Sequence, residues 1–351
     1  MDAISAENEV SEEANGITAS MSHFADKDYV TENIQLICAA PHSFFSSIYG
    51  KDPEFLTKFE LLDTCLSKYQ EQPTLLAPSL PELVEPLMDT LLGMINEKDI
   101  SMLITSEQSN DSAKDEDEEK TLSGSNSGSG CSVWRSSNEF GVKFDGICRV
   151  LQLICRVRGF KHVVKLFPHE VSHLEPCLYL LQSHDRKNFS NWETRFVLLL
   201  WLCILCLIPF DICSIDSSMN TNTTTGGDAN DNANAPAENS NEPKSTLVQH
   251  IIDICQTFLA DTGPTREAAS ACLSALLTRP DMDSSLLLTF IDSSCSKMNS
   301  WVNKGDSAQQ ELTVDSFEII GVLHCISQIF KKGHRSRILP HATTILTPCL
   351  A

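Results

Sequence analysis

The stretch Asn191–Cys213 reads NWETRFVLLLWLCILCLIPFDIC, and from Phe196 to Phe210 it runs fifteen residues without a charge, between Arg195 and Asp211. A membrane-spanning helix needs roughly 20 residues to cross about 30 Å of hydrocarbon, whereas a run of this length rises only about 22 Å as a helix. Pro209 shortens it further, because it lacks an amide proton and pushes Ile208 away from helical geometry. The segment therefore predicts a helix over Trp192 to about Leu207, apolar on every side. Such a helix must be enclosed, and the rest of the chain is expected to supply helical neighbours.

The chain has 351 residues, 42% of them apolar, which suffices for a substantial core. Its net charge of −21 is concentrated in three segments. Met1–Asp26 carries six acids and no base, Glu107–Lys120 seven acids and two bases, and Ser214–Lys244 five acids and one base, which leaves −6 for the remainder. A mildly acidic body offers no groove for phosphates, so nucleic-acid binding is not expected. Fourteen cysteines are scattered, many through apolar stretches, and the N-terminus shows no signal peptide, a usage that points to the reducing cytosol.

Apolar residues recur at three- and four-residue steps in Phe55–Leu66 and Val84–Ile95, and strand-like alternation is missing. Further helices are predicted at about Phe144–Val157, Val163–Leu166, Glu170–Leu181, Thr246–Leu259, Arg266–Leu277, Ser284–Met298, Leu312–Phe330 and Ile338–Leu350. The fold class is all-α. A disordered acidic N-terminus is expected over 1–26, and disordered loops over 108–132 and 216–244, since these segments hold too few large apolar residues to offset the entropy of ordering.

Two self-matches point to repeats. Asp261-Thr262-Gly263-Pro264-Thr265-Arg266, followed by Ala268-Ala269 and Leu273, has the composition of a HEAT-repeat second helix, in which small residues permit close stacking. Thr194-Arg195 and Leu202 repeat that frame 71 residues earlier, or 42 once the 29-residue loop Asp216–Lys244 is removed, inside the HEAT and armadillo period of about 40–47. LFPHEVSHLEPCL (Leu166–Leu178) and ILPHATTILTPCL (Ile338–Leu350) share Pro-His, a central leucine and Pro-Cys-Leu. Residues 27–351 are thus expected to form a HEAT/armadillo-type α-solenoid, with the Trp192–Leu207 helix as the inner member of a repeat.

His169-Glu170-Val171-Ser172-His173 is a literal HExxH, which on a helix sets two imidazoles one turn apart for zinc, with Glu170 as base and Glu193 as a distant third ligand. Pro168 and Pro176 crowd it, and the parallel segment keeps His341 but has Ala342 and Ile345 in place of Glu170 and His173. The Pro-His pair therefore reads as repeat architecture ahead of a zinc hydrolase. Cys203 and Cys206 have CxxC spacing in an apolar helix without a second pair, and read as packing. No nucleotide loop or nucleophile elbow is present. The basic clusters Arg156–His162 and Lys331–Arg337 fall at turns closing one helix and opening the next, where cations complement helix C-terminal carbonyls. The alternative for them is a basic ridge that docks an acidic protein partner. No catalytic, cofactor-binding or metal-ligating residue is assigned, no cofactor is implied, and no residue is nominated for partner contact.

Several blocks carry a family resemblance. Val157-Arg158-Gly159, Phe167-Pro168-His169-Glu170-Val171, Trp192-Glu193-Thr194-Arg195, Leu198–Leu202 and Leu207-Ile208-Pro209-Phe210-Asp211 resemble the amino-terminal region of the tubulin-folding cofactor D family. Ala268-Ala269, Leu277-Thr278-Arg279-Pro280-Asp281, Gly321–Gly333 and Leu339-Pro340-His341 are similar to the stretch that follows. The resemblance covers roughly Asp26 to Ala351. It implies a non-enzymatic cytosolic solenoid that captures β-tubulin and acts with tubulin cofactors C and E and a small Arf-like GTPase. It implies a part in assembling and taking apart αβ-tubulin dimers and in stimulating GTP hydrolysis by tubulin; that no membrane insertion and no nucleic-acid binding are expected follows from the short apolar run and the acidic balance instead. A generic HEAT-repeat scaffold for another partner is the alternative. Family members are several times longer, so a chain truncated at its C-terminus, with an apolar solenoid end left open, is expected.

Overall fold

The computed structural model describes residues 23–45, 54–97, 139–184, 188–212, 246–282, 284–303 and 312–350. The expected loops 108–132 and 216–244, and residues 1–22, lie outside the described residues. Among the described residues every regular element is helical, as the spacing predicts. In chain order the α-helices are α1 (Lys27–Ala39), α2 (His42–Phe45), α3 (Glu54–Ser67), α4 (Leu80–Glu97), α5 (Glu139–Arg158), α6 (Phe160–Val163) and α7 (Leu174–Gln182). They continue as α8 (Trp192–Leu205), α9 (Leu247–Leu259), α10 (Pro264–Leu277), α11 (Ser284–Asn303), α12 (Leu312–Lys332), α13 (Arg335–Ile338) and α14 (Ala342–Leu350).

The long helices alternate between two rows. In one row α5, α8, α10 and α12 stack each on the next. In the other, α7 and α9 touch each other and pack on α8 and α10, and α11 packs on α12 and α14. Before them, α1 lies on α3 and α4, which lie on α5.

Row position explains composition. α8 has α5 and α10 on its sides and α7 behind it, so Thr194 to Leu202 and Leu205 are all buried, and its uniform apolarity is answered by protein. No helix among the described residues is long and apolar enough to cross a membrane. α9, in the other row, buries only Leu247, Val248, Ile251, Ile252, Cys255, Phe258 and Leu259, the i, i+3, i+4 stripe of a half-covered helix. Its start is fixed by Thr246, whose side chain accepts a hydrogen bond from the Gln249 amide. α10 begins with Pro264 behind Gly263, whose φ of +65° favours glycine. Small residues Ala268, Ala269, Ser270, Cys272, Ser274 and Ala275 are buried there, and Ser270 and Ser274 turn their hydroxyls onto the carbonyls of Glu267 and Ala271.

The first self-match holds in three dimensions, and the second only in the order of its elements, since Leu174, Cys177 and Leu178 are buried whereas Leu346, Cys349 and Leu350 are exposed. Thr194 and Thr265 are buried in the first turns of α8 and α10, and Leu202 and Leu273 are fully buried further along. After α5 come Gly159, α6, the 3-10 turn Val164–Leu166 and α7; after α12 come Gly333, α13, the 3-10 turn Leu339–His341 and α14. The helix predicted over Glu170–Leu181 starts later, as a 3-10 turn at Val171–His173 that becomes α-helix at Leu174. Pro176 is the reason, since starting α7 at Leu174 places it in the first turn, where no amide proton is required. The boundary expected at residue 26 also shifts. Phe24 is buried edge-to-face on Tyr69 at 4.9 Å, and the Tyr69 hydroxyl donates to Asp26 at 2.9 Å, so the folded body includes residues 23–26.

Candidate functional site

The structure does not assemble the HExxH residues as a zinc helix would. Glu170 is extended, with ψ of 144°, and His173 closes a 3-10 turn. The His173 ring lies 5.7 Å from that of Trp201, and burial holds its pKa below the usual value. The Trp201 indole donates to the Pro168 carbonyl at 2.7 Å, so this segment is a clasp on α8. Glu193 faces elsewhere, 3.6 Å from Arg149 of α5, with its pKa raised by burial. Among the described residues no group of three or more His, Cys, Asp or Glu side chains is placed to hold a metal. Of the CxxC pair, Cys203 is half-buried and Cys206 buried, and the Cys206 thiol meets Cys272, which meets Cys255, as packing between repeats.

Three buried or half-buried arginines join the repeats. Arg195, 1% exposed, donates to the Asn188 carbonyl at 2.6 Å and the Asn191 side chain at 3.4 Å, and its Nε lies 3.7 Å from Asp261. Its guanidinium is 6.0 Å from the Phe258 ring. The Asp261 that sequence spacing associates with Arg266 thus serves the arginine of the preceding repeat, which satisfies a charge that is costly to bury unpaired. Arg279 donates to the carbonyls of Cys206, Ile208 (2.8 Å) and Phe210 (2.6 Å), three acceptors in the turn after α8, and holds Asp281 through Nε at 2.9 Å. Arg337 in turn donates to the carbonyls of Arg279 and Met282 at 3.2 and 3.3 Å, beyond the end of α10.

These bonds place the C-terminal turns of α8, α10 and α12 side by side. The first turn of α8 lies beside α5 at Asp145, where Thr194 donates at 2.5 Å, and further along α8 packs on the Val164–Leu166 turn that follows α5 while Trp201 reaches the Pro168 carbonyl, so the end of α5 comes to the same edge. Part of the basic clusters is structural, through partners on other helices and not the C-terminal carbonyls of the preceding one: Arg156 pairs with Asp63, Lys332 donates to Ser274 at 3.1 Å, and Arg337 acts as described. The rest faces outward. Lys161, His162, Lys165, Lys331 and Arg335 are exposed, and among the described residues none of them has a carboxylate partner. Between the clusters, on the turn after α8, Leu207 and Phe210 are 57% and 58% exposed. This edge is the candidate site. The sequence shows its cations but not the outward aim of Leu207 and Phe210, because apolar turn residues after an apolar helix carry no mark of the side they face.

The family described as Tubulin-specific chaperone D-like, ARM repeat, matches residues 66–298, the region that contains α4 to α10 and all but the last residues of α11. This chain belongs to that family. Tubulin-specific chaperone D of Dictyostelium discoideum is 24% identical over 252 residues, 55% of this chain and 17% of the relative. Tubulin-folding cofactor D of Schizosaccharomyces pombe is 29% identical over 150 residues, 42% of this chain and 11% of the relative. The matched parts therefore span less than a fifth of either relative. No solved structure matches. Family membership agrees with the helical-repeat architecture, and the turns after α5, α8 and α10 fall inside the matched region of this chaperone D-like chain.

Proposed function

We propose that this chain is the β-tubulin-capturing solenoid arm of a tubulin-folding cofactor. In this reading it acts in the cytosol as a binding protein and takes part, with tubulin cofactors C and E and a small Arf-like GTPase, in assembling and taking apart αβ-tubulin dimers. It contributes to GTP hydrolysis by tubulin without a nucleotide site of its own. The family match over residues 66–298 carries the proposal, and the names of the two relatives support it. An extended row of stacked helices suits the task, since it offers a long surface to a large folded partner.

The test is a pull-down of tubulin with the tagged 351-residue chain, probed separately for the two subunits. Retention of β-tubulin without α-tubulin is expected. If folded, helical chain retains neither subunit, capture by this arm is refuted and a repeat scaffold for another partner takes its place.

A further inference from the structure

We propose that the edge formed by the turns after α5, α8, α10 and α12 binds an extended acidic segment of a partner protein, with bulky apolar residues at its middle and carboxylates toward both ends. This goes beyond capture of β-tubulin and does not depend on which protein carries the segment. The first support is charge segregation. The chain carries −21 overall, yet this edge gathers Lys161 and Lys165 at one end and Lys331 and Arg335 at the other, all exposed. Arg158 adds a half-buried cation to the first cluster. Of the carboxylates at these turns, Asp281 is already held by Arg279, exposed Glu170 follows the first cluster, and Asp211 follows Phe210 at the centre.

The second support is the rigidity of the apolar centre. Arg279 binds the carbonyls of Cys206, Ile208 and Phe210, so the turn that presents Leu207 and Phe210 is locked from beneath. Exposed apolar side chains on a preorganised backbone lose little entropy when a partner covers them. The third is dimension. Four helices stacked at about 8–10 Å set the two cation clusters about 24–30 Å apart, the reach of about seven to nine extended residues. A polyphosphate is a poorer occupant, since it would lay charge across the apolar Leu207 and Phe210, where the proposed segment places apolar residues.

The test uses the full chain and three fluorescein-labelled synthetic decapeptides: glutamates flanking two central phenylalanines, glutamates throughout, and lysines flanking the phenylalanines. Fluorescence anisotropy is expected to show binding of the first, weaker binding of the second and none of the third, with affinity falling as salt rises. The paired changes Lys161→Glu with Lys165→Glu, or Lys331→Glu with Arg335→Glu, are each expected to weaken the first peptide about tenfold. Phe210→Ser should bring the first peptide down to the affinity of the second, while Lys27→Glu, at the opposite end of the chain, should change nothing. Circular dichroism checks that each variant is folded. Failure of the folded chain to bind the first peptide at low salt, indifference to the charge reversals, or displacement of the peptide by less single-stranded oligonucleotide than unlabelled peptide would each overturn the proposal. Because the probes are synthetic, these outcomes are separate from the success or failure of tubulin capture.

Discussion

Arg279 is the side chain on which most of the joint between α8 and α10 depends. It is 7% exposed and bonds three carbonyls beyond α8 as well as Asp281, whose pKa it holds below the usual value. Arg279→Ala should destabilise the chain by about 2–4 kcal/mol, because it strands the buried Cys206 carbonyl, removes two partly buried hydrogen bonds and uncouples Asp281. Arg279→Lys should recover little, since a single ammonium cannot span the fork. Thermal unfolding followed by circular dichroism measures both. His184, 7% exposed, accepts a hydrogen bond from the Asn191 side chain at 3.2 Å, and burial followed by the charge of Arg195 pushes its pKa from 6.5 down to about 3. The native state therefore stays neutral at this ring while the unfolded chain takes up a proton below 6.5, so stability is lost as pH falls through that window. The slope expected from this group approaches 1.4 kcal/mol per unit, at most about that value. Urea midpoints at pH 7, 6 and 5 should fall more steeply for the native chain than for His184→Gln, and parallel curves would show that His184 contributes nothing.

Among elements, the contact between α9 and α12 has the least tolerance. A Cβ added at Gly321 would lie 2.1 Å from the Leu259 carbonyl oxygen, a backbone atom that cannot rotate away. Gly321→Ala should force the two helices apart at a cost of roughly 1–3 kcal/mol, despite alanine's better helix propensity. A thermal midpoint equal to or above that of the native chain would contradict this packing. Much at this scale was legible beforehand. The spacing of apolar residues located α8 and α9, and Pro209 marked where α8 stops, which it does at Leu205. The start of α7 was not legible, because Pro-His lies outside any helix at Pro168, between extended Phe167 and Glu170, and in a 3-10 turn at Pro340, so equal sequence took unequal local geometry. The HExxH spacing misleads for the same reason: it presumes a helix that the residues around Pro168 do not form.

At the scale of the whole molecule, the row of stacked helices is covered unevenly. α12 buries Ile319, Val322, Cys325, Ile326 and Ile329, while Phe317, Ile320, Leu323 and Phe330 on its other side are exposed. Their spacing of three and seven residues makes one stripe, and a contiguous apolar stripe on a solvent face favours association. Light scattering behind size exclusion should show a mass that rises with concentration, and Ile320→Glu with Leu323→Glu should return it to 38.8 kDa. A native chain that is monodisperse at that mass at high concentration would refute this.

The sequence alone determined that this protein is a stack of helices, that the helix beginning at Trp192 and expected to run to about Leu207 lies inside it, and that two segments recur at a repeat period. Those properties follow from the spacing of near neighbours in the chain and from the length of an uncharged run, both of which are local. Only the tertiary structure decided that Asp261 answers Arg195 of the preceding repeat, that Arg279 locks a turn some 70 residues away and that Leu207 and Phe210 face outward. These depend on how one helix is rotated and shifted against the next, which is set by packing across the stack and not by any periodicity along the chain.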